Sequence, residues 1–515
     1  MPFRNEMLTQ LDQSSWDLVV VGGGATGLGT AVDAASRGLK TLLLEQGDFA
    51  QATSSRSTKL IHGGVRYLKQ GNVSLVRESL HERGLLLKNA PGLVRPLEFV
   101  IPTFSFGERL FYAIGLKAYD FLAGRLLGMP RSRMLSNDEM KQRTPTIRMD
   151  RLRGGVSYYD AQFDDARLAI AMATLLRQQG GLPLNYMRVE QLRKEGGRIN
   201  GVVASDMETG RQYKVNAKVV VNATGIFTDF TRALDDPRSP PMMRVSRGSH
   251  IVVDRSFLPG NTAIILPSTD DGRVLFIIPW HGAVLIGTTD LPEAEPSMDP
   301  IPLPEEIDFM LTHASRYLDR EVTHRDIRSM FCGLRPLVSE EKTSSTSRIS
   351  RDHVIRTSES GLITITGGKW TTYRRMAADT VDHAISVAGL AARPSLTETL
   401  PLSANPHDLP GEPQSTSTVT DEFIRRVIRE EQARTIDDIL SRRCRLLLLD
   451  AGAALKAAPR VASILAEELG KDSNWARGQV ATFTSLATGY LPDPQSDSLG
   501  ATTAQPSSSK EPARR

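Results

Sequence analysis

The chain has 515 residues, 40% hydrophobic and 24% charged, with a net charge of +4. That is enough for two or three domains with a substantial core, and too ordinary a composition to make disorder the default away from the ends. The mild positive charge permits an anionic substrate or an anionic membrane face, while no basic stripe interleaved with aromatics points to nucleic acid. Cys332 and Cys444 stand far apart in sequence, which argues against a disulfide framework, a zinc site or an iron-sulfur cluster and fits a reducing compartment. The first fifteen residues lack the apolar core of a signal peptide, and no stretch reaches the roughly 18 apolar residues of a membrane span. The expected location is therefore the cytoplasm, where the chain could still lie on a membrane.

Trp16 to Glu45 reads as strand, glycine turn, helix and second strand. Asp17 to Val21 is a valine-rich run that stops at Gly22, as a buried strand of a parallel sheet does. The fingerprint G-x-G-x-x-G falls on Gly22, Gly24 and Gly27, so the turn is tight, the backbone can approach a pyrophosphate and the helix can pack on its strand. Phosphate would sit on the N-terminus of the helix Ala25 to Arg37. The second strand, Leu42 to Leu44, ends at Glu45, which is placed to accept from a ribose hydroxyl. This is a dinucleotide site, and the fingerprint does not separate FAD from NAD.

Gln46 to Leu68 is crowded with small hydroxyls, glycines and bases. Ser54, Ser55, Ser57 and Thr58 can donate to phosphate or ring oxygens, Gly63 and Gly64 let backbone come close, and Arg66 can grip an oxyanion with two parallel bonds. Ser74 to Asn89 is helical by period and Pro91 stops it. Glu108 to Leu127 carries Leu110, Phe111, Ile114, Ala118, Phe121 and Leu122 at helical spacing, bordered by Arg109, Lys117 and Arg125. Such a face packs more commonly on the core of a cap domain, and the alternative is a helix lying in a membrane interface. Asp164 and Asp165 precede the helix Leu168 to Gln178 and read as capping residues; no third ligand at metal spacing accompanies them.

Val202 to Ser205 and Tyr213 to Val215 alternate like a hairpin, and Ala217 to Gly225 is a buried strand ending in a small-residue turn at Gly225. Val245 to Asp254, Ala263 to Leu266, Val274 to Ile278 and Ala283 to Gly287 predict an antiparallel sheet, a natural roof for a substrate pocket. Pro304 to Leu318 is a helix. Arg335, between Leu334 and Pro336, needs an anionic partner, either an internal carboxylate or a substrate anion. Leu362 to Tyr373 repeats the strand and glycine turn, with Gly367 and Gly368 before Thr371 and Thr372 at the head of a helix to about Val387. Pro394 to Thr420 reads as a linker, Asp421 to Leu440 and Arg442 to Leu469 as helices of a small bundle, and Leu491 to Arg515 as a disordered tail. As proton acceptor, His62, His250 and His353 are the candidates. His250 leads, because Gly248 and Ser249 leave room beside it and a strand follows, and His62, beside Gly63 and Gly64, comes second.

The segments ATSSRSTKLIHGGVRYL, DDARL, VNATG, RGSHIVV, IIPW, GTTD, GLRPL, SRDH and GGKWTTYR, in that order, resemble the bacterial FAD-dependent glycerol-3-phosphate dehydrogenase family over about Trp16 to Ala388. The resemblance implies non-covalent FAD held by Gly22, Gly24, Gly27, Glu45, Ser54, Ser55, Gly225, Gly368, Lys369 and Thr371. It implies substrate contacts from Arg66, Tyr67, Thr288, Arg335 and Arg351, with His250 near the reacting carbon. The implied reaction oxidises sn-glycerol 3-phosphate to dihydroxyacetone phosphate by hydride transfer to flavin, with electrons passed to a quinone. The implied setting is a peripheral contact with the inner face of the cell membrane and a homodimer, without nucleic acid. Alternatives are a flavin oxidase of glycerol 3-phosphate or of an amino acid, using oxygen, and a non-catalytic FAD-binding scaffold. The chain departs from the family in two places, at His353, where a tyrosine is common, and in a short C-terminal helical region.

The expected fold is α/β, a two-domain α+β flavoprotein in which a Rossmann-like FAD-binding domain carries an inserted antiparallel-sheet substrate or cap domain and a small C-terminal helical domain. The FAD-binding domain is expected in three parts, residues 1–90, 151–230 and 329–390. Residues 91–150 form a cap region, 231–328 the antiparallel sheet, 391–420 a linker, 421–490 the helical domain and 491–515 the tail.

Overall fold

The computed structural model describes residues 2–64, 72–124, 128–267, 269–338, 353–391, 393–403 and 419–493. Strand β1 (Ser15–Val21) is valine-rich because it lies in the middle of a parallel sheet, with both faces covered. On one side it pairs with β10 (Gln212–Asn222) and on the other with β2 (Thr41–Leu44). The sheet continues outward to β18 (Ile363–Gly367) and β17 (His353–Thr357) beyond β10, and to β7 (Leu182–Leu184) beyond β2. A hairpin of β8 (Met187–Glu195) and β9 (Arg198–Asp206) pairs antiparallel with the outer part of β10. The helices Ala25–Ser36, Asp165–Gln178 and Tyr373–Ala388 cover one face. The other face is closed by the β8–β9 hairpin and by the helix Pro2–Gln13, whose Met7 and Leu11 are buried.

The second sheet has ten strands. Its long member next to one edge is β11 (Met243–Asp254), flanked by the edge strand β16 (Ile327–Val338) on one side and by β14 (Ala283–Gly287) and β15 (Leu291–Glu293) on the other. Strands β13 (Leu275–Trp280), β12 (Ala263–Leu266), β4 (Val94–Pro102), β6 (Gly155–Phe163) and β3 (Leu60–Ile61) follow in that order, with β5 (Arg133–Leu135) paired to β6. Ile251 and Val253 face a core shared with the helix Pro304–Tyr317, and Val252 faces the opposite core, as period-two alternation requires. His250 is therefore on the Val252 face.

That face is covered by the C-terminal helices Asp421–Glu430, Ala451–Leu469 and Ser473–Thr488. They are joined to the rest of the molecule by buried charge. Asp48 accepts from Arg442 at 2.5 Å and also pairs with Arg443, Asp164 pairs with Arg445 at 2.6 Å, and Glu431 with Arg167 at 2.7 Å. The predicted helix Asp421 to Leu440 breaks after Glu430, because the chain turns inward there to bring Arg442, Arg443 and Arg445 to these carboxylates. The amino-terminal helix and Ser473–Thr488 are elements for which the sequence pattern gives weak signals, since both expose mostly polar residues. In the expected linker, Leu402 N–H donates to Asn89 O at 2.7 Å, so its first part packs on the dinucleotide domain. Residues 404–418 and 494–515 lie outside the described residues.

The amphipathic helix runs Phe106–Ala123, and its orientation corrects the core-facing expectation. Ala113, Leu116, Tyr119 and Ala123 face inward, while Phe106, Leu110, Phe111, Ile114 and Phe121 are exposed, Phe121 at 85%. Small inward residues let the helix sit close to β6, and its largest apolar side chains are left outside. No helix among the described residues is long and apolar enough to cross a membrane.

Asp48 is fully buried beside two arginines, so Asp48→Ala should destabilise the fold by about 3 to 5 kcal/mol, the usual cost of leaving buried charge unpaired. The urea transition followed by circular dichroism should move to a clearly lower midpoint. An unchanged midpoint would mean that the C-terminal helices are held by apolar packing alone.

Candidate functional site

The ends of β1, β2, β10 and β18 meet at one edge of the parallel sheet, where the glycine turn lies. A Cβ on Gly27 would stand 1.9 Å from Gly22 O, and one on Gly22 2.6 Å from Ala223 O. These glycines let the turn close on its own helix and on the end of β10. Gly24 is the N-cap of the helix Ala25–Ser36 and has no side-chain cap of its own. Ser54 Oγ reaches in instead, accepting from Ala25 N–H at 3.0 Å and leaving its hydroxyl proton for a ligand. Glu45 follows β2, its carboxylate accepting from Gly23 N–H at 2.6 Å and Gly47 N–H at 2.8 Å. Burial pushes the Glu45 carboxyl up, against those two backbone bonds. Gly225, at φ +58°, has no atom within 4 Å of where a Cβ would be, so the turn after β10 faces open space. The turn before the helix Tyr373–Ala388 closes the group: Trp370 Nε1–H donates to Ser54 O at 3.0 Å and Thr371 Oγ1–H to His62 O at 3.4 Å. Gly368 and Lys369 lead into this turn. An open helix N-terminus, an inward serine hydroxyl and an uncrowded glycine turn fit a dinucleotide pyrophosphate and a ring beyond it.

A second constellation lies on the Val252 face of the antiparallel sheet. His250 is 2% exposed, pairs in register with Gly287 and Phe331, and stacks on the Phe331 ring at 4.8 Å. Room for the imidazole comes from Gly287, where a Cβ would stand 2.3 Å from His250 Cδ2. Gly248, expected to make that room, serves Arg335 instead, since its Cβ would stand 2.2 Å from Arg335 Nη2. Arg335 is half-buried, donating to Thr288 Oγ1 and Thr289 O at 3.0 Å and to Arg247 O at 3.0 Å, with Asp290 at 3.5 Å. Of the two anticipated partners of Arg335, the internal carboxylate is present as Asp290 at long range, and Thr288 Oγ1 takes part of the guanidinium's edge. Behind this face, Glu306 accepts from Ser249 Oγ–H at 2.8 Å and Thr289 Oγ1–H at 2.5 Å, which fixes the strand and the 288–290 turn.

Burial first, then the positive charges of Lys59 and Arg335, hold the His250 imidazolium well below the usual histidine range. The ring is neutral at pH 7. Its Nε2 lies 3.0 Å from Thr58 Oγ1, and Nδ1 has no hydrogen-bond partner among the described residues.

The segment 53–59 joins the two constellations. Thr53 Oγ1–H donates to Leu334 O at 2.6 Å, and Gly333 has no Cβ to collide with Arg56 O. Sequence reasoning missed the residue that fixes this segment, Lys59, which is fully buried on Asp165 at 2.8 Å. Its signal was present as a lysine among small residues in a segment otherwise fit for a ligand site. Asp164 and Asp165 both proved to be structural: Asp164 caps its helix through Arg167 N–H at 3.0 Å and takes Arg445 and His281, while Asp165 takes Lys59 and Ser57. Ser55 contributes its carbonyl to Lys59 at 2.6 Å. His62 lies against the turn at Thr371 through its carbonyl, and Tyr119 of the amphipathic helix accepts from the adjacent Gly63 N–H at 2.8 Å. His353 pairs with Asp379 at 3.1 Å and stands in register opposite Gly367, at the start of the turn that leads to Thr371. Arg66, Tyr67 and Arg351 lie outside the described residues.

A family model described as FAD dependent oxidoreductase matches residues 17–374, and one described as the C-terminal domain of alpha-glycerophosphate oxidase matches 367–476. The chain is 38% identical to the mitochondrial glycerol-3-phosphate dehydrogenase of Macaca fascicularis over 548 aligned positions, covering 94% of this chain and 75% of that protein. The chain belongs to the FAD-dependent glycerol-3-phosphate dehydrogenase family. Among solved structures, the glycerol-3-phosphate dehydrogenase of Bacillus halodurans complexed with FAD is similar at 27% identity and a TM-score of 0.77, over 95% of this chain and 98% of that one. The L-alpha-glycerophosphate oxidase of Mycoplasma pneumoniae shares the fold at 19% identity and a TM-score of 0.57, over 76% of this chain and 100% of that one. As in the family, the cofactor is FAD, and the helix N-terminus at Gly24, with Ser54 beside it, is the part of this dehydrogenase fold that suits its pyrophosphate.

Because the Gly27 clash is backbone against backbone, Gly27→Ala should open the turn and yield protein that has lost its flavin. Gly478, with nothing within 4 Å of its Cβ position, is the control, and Gly478→Ala should retain flavin absorbance at the wild-type ratio. Equal flavin content in both variants would remove the pyrophosphate role from this turn.

Proposed function

We infer that the chain oxidises sn-glycerol 3-phosphate at its secondary alcohol to dihydroxyacetone phosphate, passing the hydride to non-covalently bound FAD and the electrons on to a quinone. The observation that carries this reading is a neutral, buried imidazole and a half-buried guanidinium on one face of adjacent strands, opposite the segment that also caps the dinucleotide helix. Bound FAD supplies the two-electron acceptor. The other tasks belong to the chain. Arg335 with Thr288 grips the phosphate, for which a planar guanidinium fork is suited, and Arg66, Tyr67 and Arg351 join them in the family pattern. His250 takes the hydroxyl proton as the hydride departs; being neutral, it is already in the accepting form. His62 remains the second candidate for that role. Gly22, Gly24, Gly27, Glu45, Ser54, Ser55, Gly225, Gly368, Lys369 and Thr371 form the cofactor cradle.

A membrane quinone agrees with the exposed apolar face of the helix Phe106–Ala123. Its phenylalanines, with Lys117 on the exposed border, have the composition of a helix that lies in the headgroup region with cations at the edge. On this reading the protein works at the cytoplasmic membrane face, as a homodimer in the family manner. Replacing Phe111, Ile114 and Phe121 by serine together should abolish cosedimentation with anionic phospholipid vesicles while FAD content is unchanged; vesicle binding at the wild-type level would exclude this helix as the contact.

The substrate reading is tested by anaerobic bleaching of the flavin with glycerol 3-phosphate, glycerol, hydroxy acids and amino acids. Glycerol 3-phosphate should bleach it fastest. Arg335→Lys should lower kcat/KM for glycerol 3-phosphate about tenfold to a hundredfold, the loss of one charge-assisted contact worth roughly 1.5 to 3 kcal/mol, and should leave the slow reaction with glycerol nearly unaltered. An equal loss on both substrates would remove the phosphate from Arg335, and reduction by an amino acid alone would overturn the reading.

A further inference from the structure

Lys59 has no solvent exposure, and its backbone sits in the left-handed region at φ +64°, which a lysine adopts only under compulsion. The compulsion is visible in its contacts. Its ammonium donates to Ser55 O at 2.6 Å and to both oxygens of Asp165 at 2.9 and 2.8 Å. The same carboxylate accepts from Ser57 Oγ–H at 2.7 Å and Ser57 N–H at 3.1 Å, and Ser57 Oγ in turn accepts from Lys59 N–H at 3.0 Å. Residues 55, 57 and 59 are thus tied to one point at the head of the helix Asp165–Gln178. The residues between and before them carry the contacts that matter: Ser54 reaches the dinucleotide helix, and Thr58 reaches His250 Nε2. The ammonium also stands 5.2 Å from the centre of the Phe331 ring, the ring against which His250 stacks.

We propose that Lys59 is a positioning residue of the reaction: clamped on Asp165, it sets Ser54 and Thr58 together and places a fixed positive charge behind the His250 imidazole. The proposal rests on His250 as the proton acceptor. Among the described residues, the charged groups that face His250 are Lys59 from the 53–59 segment and Arg335 from β16, while β14 presents Gly287 and Thr288, which do not ionise. Behind Lys59 stand Asp165, Asp164 and Arg445. A cation on that side of the ring disfavours imidazolium, so the histidine stays a proton acceptor to lower pH than an isolated buried ring beside one arginine would.

The test is stopped-flow reduction of the holoenzyme flavin by glycerol 3-phosphate across pH, in Lys59→Gln, Lys59→Arg and His250→Asn. Glutamine keeps donors for Asp165 and Ser55 O but carries no charge. In Lys59→Gln the acid limb of the rate should move up by about half to one pH unit, so that the rate loss against wild type is severalfold larger at pH 6 than at pH 8. Lys59→Arg should leave the limb where wild type has it, whatever it does to the maximal rate. A limb that does not move in Lys59→Gln, with only stability or flavin affinity reduced, would make Lys59 a purely structural residue and overturn the proposal. Should Lys59→Gln fail to hold FAD, the double variant Lys59→Met/Asp165→Asn removes both buried charges and should show a smaller upward displacement, since the lost carboxylate offsets part of the lost cation; an unmoved limb there overturns it equally. His250→Asn separates the two ideas. If it keeps the acid limb, the base reading falls and this proposal with it; if it loses the limb while Lys59→Gln leaves it in place, only the role of Lys59 falls.

Discussion

The segment that links the glycine turn to His250 is held in place by one buried ion pair. Lys59 and Asp165 are both fully buried, and burial works against each of them, drawing the lysine pKa down and the carboxyl pKa up, while their mutual attraction and hydrogen bonds oppose the change. Such a pair is weak evidence for stability, since two well-packed apolar side chains could hold the same space at less desolvation cost. Its value is geometric. A lysine can reach Asp165 only if residues 55 to 59 adopt one path, and that path sets the positions of Ser54 against the dinucleotide helix and Thr58 against His250. The two sheets meet in one core, where Ile61, Val94, Ala161 and Phe163 of the second pack with Val20, Leu43 and Val221 of the first; the segment 53–59 links the glycine turn to His250 across that junction.

The same physics explains why the C-terminal helices are not a loose appendage. Asp48 lies three residues after Glu45, and Asp164 stands next to Asp165, so both carboxylates belong to the immediate support of the site. Arg442, Arg443 and Arg445 come from the far end of the chain to neutralise them. Against the cost of burial, Arg445 and His281 hold the Asp164 carboxyl well below the usual carboxylate range, and the arginines do the same for Asp48. Removing the C-terminal helices would leave the buried Asp48 and Asp164 without their arginines and the Val252 face of the second sheet without cover.

Where a local rule had one physical solution, the sequence was readable. Gly22, Gly24 and Gly27 between a valine run and a helix could only make a tight strand-to-helix turn, and the strand-like runs with turns between them from Val245 to Gly287 read as an antiparallel sheet, which the structure buries on both faces. Where two solutions shared one pattern, reading by period was insufficient. The helix Phe106–Ala123 has apolar residues on both faces, and the larger ones at Leu110, Phe111, Ile114 and Phe121 drew the inward assignment, although Ala113, Leu116 and Tyr119 are the side chains that pack. The glycines beside His250 show a related limit: Gly248 precedes it in sequence, but its neighbour in space is Gly287, across the sheet, and only strand register could reveal that. Buried arginines from residues 442 to 445 read as the polar face of a helix, because nothing near them in sequence shows the carboxylates they answer.

The charges around His250 also bear on the timing of proton transfer in the proposed reaction. Without substrate, Lys59 and Arg335 both disfavour a proton on the imidazole, so the ring rests neutral and does not hold a proton it would have to release before catalysis. A phosphate bound to Arg335 brings negative charge to the same face, offsetting one of the two cations. The basicity of His250 then rises as the substrate settles, at the moment when its alcohol proton must be taken. Lys59, enclosed with Asp165 and out of reach of substrate, is the cation that does not change. The two positive charges therefore have separable roles: Arg335 responds to the substrate, and Lys59 sets the resting state against which that response is measured.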